Sequence, residues 1–156
     1  MRKILFKGKR KDNGECVEGY LFDDGLIDSD RMFIGSLIIE DYKGLSDDEW
    51  DITGTCFYEV IPETVGQYTG LTDKNGKKIF EGDIHRVTAK TKEVLFVVRH
   101  GKYYDWQSEQ ERYGWYFQNI KSGYCNSFYG RENDYANIIG NIHDNPELLE
   151  ASNEQI

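Results

Sequence analysis

QYTGLTDKNGKKIFEGDIHRVTAKTKEVLFVVR, residues 67–99, is the stretch that decides the architecture of this chain. Asp73-Lys74-Asn75-Gly76 ends in an Asn-Gly pair, which tolerates positive φ and so reverses the chain between Gln67–Leu71 and Lys77–Phe80. Glu81-Gly82-Asp83 makes a second corner before Ile84–Thr88. Glu93–Arg99 then carries five consecutive apolar residues, Val94 to Val98, a run suited to a strand covered on both faces. Short strands joined by tight corners are the expectation.

The same style extends in both directions. Upstream, residues 3–9 and 15–22 flank Asp12-Asn13-Gly14 and predict a β-hairpin. An acidic, turn-rich link at 23–30 leads into a strand at Met32–Glu40. Ser46-Asp47-Asp48-Glu49 has the spacing of a capping box, but Gly54 follows too soon for more than a short helical turn. Thr55–Ile61 returns to β character and stops at Pro62, which cannot donate to a ladder. Downstream, Tyr113–Ile120 and Tyr135–Ile142 are further strands, and Asn145-Pro146-Glu147 supplies a cap, a first-turn proline and an early acid for a last helical turn. The fold class is therefore mainly β: small antiparallel barrel-like domains with short helical turns, arranged as a barrel or as two lobes. The lobes are an N-terminal β lobe at 1–63 and a barrel-like lobe at 64–150, with a flexible tail at 151–156.

Composition supports a folded chain and restricts its partners. The 156 residues include 11 Tyr, 8 Phe and 3 Trp, ample for a core. Nineteen basic against 28 acidic residues leave a formal charge of −9, so only a local basic patch suits a polyanion. No apolar run approaches the roughly 20 residues of a membrane-spanning helix, and MRKILFKGKRK lacks the pattern of a secretory signal. Cys16, Cys56 and Cys125 are odd in number and widely spaced, the pattern of reduced thiols in a cytoplasm.

Three segments, ILFKGKRKDNGECVEGYLF, VIPETVGQYTGLTDKNGKKIFEGDI and IIGNIHDNPELL, occur in that order, and together they resemble the YopX family of phage and prophage proteins. The resemblance covers about residues 3 to 149, and its specific parts are QYTGLTDKNGKKIFEGDI and GNIHDNPELL. It implies a small, mainly β protein in a bacterial host's cytoplasm, a homo-oligomer, with no catalytic residues to transfer. Cys16 stands where the family commonly has an aromatic residue, and His85 where it has an aliphatic one.

Chemical motifs are weak throughout. Gly70 to Lys78 departs from a phosphate-binding loop in glycine spacing and in having Lys78 where Ser or Thr would bind magnesium. Asp28-Ser29-Asp30 begins like a calcium loop, but Met32 and Phe33 occupy positions that need an oxygen and a glycine. His85, His100 and His143 are isolated, no Cys-x-x-Cys occurs, and no Gly-x-Ser-x-Gly elbow is present. The reading is of a protein that is not an enzyme and uses no cofactor or metal.

Charge and aromatic clustering say more. Six of the first eleven residues are basic, Arg2, Lys3, Lys7, Lys9, Arg10 and Lys11, whereas residues 23–51 hold ten acids and two bases. Such asymmetry serves solvated faces, a protein contact or, for the basic strand, nucleic acid. Residues 103–117 contain seven aromatics, which build a core, a subunit contact or a stacking platform beside Arg99 and Lys102. The candidate contact residues are Tyr103, Tyr104, Trp106 and Trp115, with Arg99 and Lys102. The expected function is self-association and binding of a host or phage protein, with no membrane contact; the alternative is a small single-stranded nucleic-acid-binding β protein.

Overall fold

The computed structural model describes residues 3–38, 54–89, 92–128 and 135–150. The expected capping-box turn at 46–49, the end of the 32–40 strand and the 151–156 tail lie outside the described residues. The chain divides into two compact units, Ile4–Gln67 and a second that begins at Tyr68.

In the first unit, β1 (Phe6–Lys9), β2 (Cys16–Asp23), β3 (Met32–Ile38) and β4 (Gly54–Val60) form an antiparallel sheet in the order β4-β3-β2-β1, and Phe6 pairs beyond it with Gln67 of β5 (Gly66–Thr72). The expected hairpin closes with Lys9 opposite Cys16 and Gly14 at φ 74°, the conformation for which the Asn-Gly pair is suited. Ile34 and Val60 are buried beneath β1, where a Cβ on Gly8 would lie 3.1 Å from Ile34 Cδ1. A smaller residue than alanine is what lets β1 sit on that core. After β4 the chain makes a single 3-10 turn at Pro62–Thr64.

In the second unit, the end of β5 pairs with β6 (Lys78–Phe80). β7 (Asp83–Ala89), β8 (Lys92–Asp105), β9 (Gln110–Asn119), β10 (Cys125–Ser127) and β11 (Asn137–Asn141) form a sheet in the order β10-β9-β8-β7-β11. β8 is central, and Val97 and Val98, which point to opposite faces, are both buried. Ile79, Val98 and Phe117 make the core, with Leu71, Phe96, Trp115, Phe128 and Ile138 packed around them. A short helix, α1 (Glu147–Glu150), ends the described chain.

The fold is mainly β, as the residue pattern predicts, but the barrel-like closure does not form. Among the described residues β10 and β11 stand at opposite ends of the second unit's sheet, and β10 gains only one parallel bridge, Cys125 to Asp105, at the far end of the β8–β9 hairpin. Closing a sheet needs tilted strands of matched length. Here β8 has fourteen residues and β10 three, paired with Tyr116–Gln118 of β9, so beyond that one bridge the short strand closes nothing.

Candidate functional site

The segment at 103–117 is the two arms of the β8–β9 hairpin and a four-residue turn, with Asp105 opposite Gln110. Strand alternation sorts its residues: Tyr103 and Asp105 share one face, Lys102 and Tyr104 the other. Tyr103 is 8% exposed and stacks on Tyr116 at 4.5 Å. Its hydroxyl lies 2.7 Å from Ser127 Oγ, which in turn donates to Asp105 Oδ2 at 2.5 Å. An ionised carboxylate only accepts, so the proton of Ser127 goes to Asp105 and Tyr103 is the donor to Ser127.

Asp105 is fully buried. Burial pushes its carboxyl up, but the Ser127 hydroxyl and the Gln107 and Ser108 backbone N–H groups outweigh that and hold it below the usual aspartate range. Arg112 Nε stands 3.4 Å from the same carboxylate. The network ties β10 to the hairpin tip and caps the turn that begins at Trp106.

On the outer side, Tyr104, Trp106 and Tyr124 are 42%, 52% and 52% exposed and touch one another, with ring centroids 5.1 Å apart for Tyr104–Trp106 and 4.6 Å for Trp106–Tyr124. Sequence reasoning missed Tyr124, which reaches Trp106 because the Trp106 N–H donates to the Cys125 carbonyl at 3.3 Å. Its one signal was an aromatic residue directly after Gly123 in a turn. The structure thus brings Tyr104 and Trp106 together and separates the other candidates from them. Tyr103 lies in the interior. Trp115 is half-buried on the core and 4.6 Å from the His100 ring. Arg99 donates to Gln118 Oε1 at 3.1 Å, and Lys102 pairs with Glu111 at 2.9 Å. In the first unit, Tyr20, Phe22 and Phe57 form another exposed aromatic group, with Phe22 edge-on to Phe57 at 4.9 Å.

Arg10 and Lys11 of the basic N-terminal segment are engaged by acids of their own unit. Arg10 pairs with Asp12 and Glu15 and lies 4.0 Å over the Tyr58 ring. Lys11 and Arg31 both bind Glu59, at 2.9 and 3.1 Å, and hold its carboxyl down to about 2. His85 is buried edge-on against Phe117, Cys16 is exposed, and burial pushes the half-buried Cys125 thiol up. Among the described residues no three His, Cys, Asp or Glu side chains gather in a metal-holding group, and no helix is long and apolar enough to cross a membrane.

The segments that carried the resemblance are joints. Asp73 is buried, accepts from the Asn75 and Lys77 N–H groups, and reaches across to the Ile138 N–H at 3.2 Å, pinning the 73–77 turn to β11. Asp83 caps its own corner by accepting from the Phe80 N–H at 2.8 Å. Asn141 and Asn145 order the turn into α1.

A concavity in this unit, about 270 Å³, is lined by Val87, Phe96, Gln107, Phe117, Asn126, Ser127 and Tyr135.

A family model described as YopX protein matches residues 6–150. Among solved structures, the chain is similar to the crystal structure of protein EF1440 from Enterococcus faecalis, with a TM-score of 0.55, 25% sequence identity, and coverage of 96% of this chain and 99% of that one. No curated protein matches the sequence.

Proposed function

The chain belongs to the YopX family, and from that premise we propose a phage- or prophage-derived protein that acts in the bacterial host's cytoplasm by binding, without catalysis, through self-association and contact with a host or phage protein. The observation that carries this reading is the mutually packed, half-exposed trio Tyr104, Trp106 and Tyr124. Large aromatics in contact with water and with each other offer the area from which interface hot spots are made. Trp106 stands on a turn fixed by Asp105, so little ordering remains to oppose binding.

Two features support the non-catalytic part. Ser127 is itself buried and gives its proton to a buried carboxylate whose lowered pKa makes it a poor base. The family's specific residues Asp73, Asp83 and Asn145 spend their hydrogen bonds on the backbone of turns and, for Asp73, of β11. The single-stranded nucleic-acid alternative is less well supported, because Arg10, Lys11 and Lys102 are each matched by an acid of the same unit.

Light scattering over a concentration series tests the reading. A mass that rises with concentration, and that W106A returns to that of one chain, supports it. A single-chain mass at tens of micromolar removes self-association. Retention of single-stranded DNA on a filter, lost as salt rises, would favour the alternative instead.

A further inference from the structure

The concavity in the second unit lies apart in chemistry from the exposed aromatic trio. Two of its walls are fixed: Phe117 is a core residue stacked on Phe128 at 4.1 Å, and Phe96 packs edge-on against Phe117 at 6.1 Å. Val87 and the half-exposed Tyr135 complete an aromatic and aliphatic slot. A cavity of roughly 150 Å³ accommodates benzene, so about 270 Å³ takes a ring system somewhat larger.

The polar groups narrow the class. Ser127 is committed to Asp105 and Tyr103. Asn126, opposite Phe117 in the β9–β10 pair and therefore on the same face, is half-buried, and its side-chain amide has no hydrogen-bond partner among the described residues. An amide presents a carbonyl acceptor beside an N–H donor, the complement of the donor and acceptor pair on the edge of a nucleobase. Gln107 adds a second amide at the lining. No lysine or arginine is among the described lining residues, and the Asp105 carboxylate, already paired with Arg112, stands directly behind Ser127, which disfavours an anionic group such as a phosphate.

We propose that this pocket binds an uncharged, nucleobase-sized heterocycle, packed against Phe96, Phe117 and Tyr135 and held at its edge by Asn126. The pocket site is independent of the aromatic trio and stands whether or not the chain self-associates. The same ring chemistry comes from a free base or nucleoside, or from a base of a single strand.

Equilibrium dialysis of the full chain against adenine, cytosine, uracil and adenosine tests it, with a hexamer of deoxyadenylate as a separate arm. Saturable binding of at least one base, with a Kd of about 0.1–1 mM for so small a ligand, is expected. N126L keeps the volume and removes the amide pair, and V87W fills the slot; each weakens binding at least ~10-fold while keeping the parent melting transition. The two variants act from different strands, so one that fails to fold leaves the other to decide. Hexamer binding no tighter than that of adenosine assigns the free molecule, and tighter binding that N126L abolishes assigns the strand. No saturable binding of any of these probes at several millimolar, or binding unchanged by a folded N126L or V87W, overturns the proposal.

Discussion

Asp105 keeps its charge without water because Gln107 and Ser108 N–H groups serve one oxygen, and Ser127 Oγ and Arg112 Nε serve the other. Removing the hydroxyl in S127A leaves Tyr103 and Asp105 each one partner short, and the loss is expected to be about 1–3 kcal/mol in urea unfolding. The pH dependence follows from the same group. Its folded pKa is depressed below the unfolded value near 3.9, so the unfolded chain binds more protons in that window and stability rises with pH across it. The contribution is complete above the unfolded value and is lost as the pH falls through the folded one. Asp73, held down by the Ile138, Lys77 and Asn75 N–H groups against burial, adds in the same direction. Urea midpoints between pH 5 and pH 2 should fall steeply for the parent and less for D105N, which carries no titrating group at this position. Equal slopes for the two would mean that Asp105 titrates alike in both states.

At the scale of elements, glycine positions fix what the strands can do. Gly101 and Gly114 face each other across β8 and β9 with φ of 142° and 147°, a region essentially reserved for glycine. G114A is expected to cost about 1–3 kcal/mol and to loosen the hairpin tip beyond it. Gly140 acts differently: a Cβ there would stand within contact of Asn145 Oδ1, the side chain that sets the turn into α1. G140A should therefore speed hydrogen exchange at Leu148 and Leu149, whose N–H groups bond to Asn145 and Pro146, while amides of β8 keep their protection. Much of this level was legible. Asn-Gly and Glu-Gly-Asp corners announced their hairpins, Val94 to Val98 announced a central strand, and Asn145-Pro146-Glu147 announced a final turn. The barrel was not, because closure depends on how long each strand runs, and β8 continues past Arg99 to Asp105 through residues whose sequence alone fits a loop. The candidate site was half legible for a similar reason. Alternation shows that Tyr103 and Tyr104 part company, but only the partner Ser127, 24 residues away, decides which of them turns inward.

For the whole molecule, if the chain self-associates as proposed, the exposed aromatics of its units decide the geometry of the assembly. If Tyr104, Trp106 and Tyr124 of one copy meet the same trio of another, the contact is isologous, and growth stops at two chains. If the trio instead meets the Tyr20, Phe22 and Phe57 group of another copy, the contact is heterologous and closes only in a ring, or else continues as a filament. A mass that levels off at two chains is expected from the first arrangement. W106A should weaken that dimer by about 2 kcal/mol or more, roughly 30-fold in Kd, since a central tryptophan is the strongest single anchor of such a patch. F22S combined with F57S should leave the dimer unchanged. Because both phenylalanines are already exposed, the double variant is expected to melt close to the parent, so a changed mass would report assembly and not folding. Masses that keep rising with concentration and fall with F22S and F57S as much as with W106A would point to the heterologous arrangement. That result would move the anchor from one aromatic group to the pair.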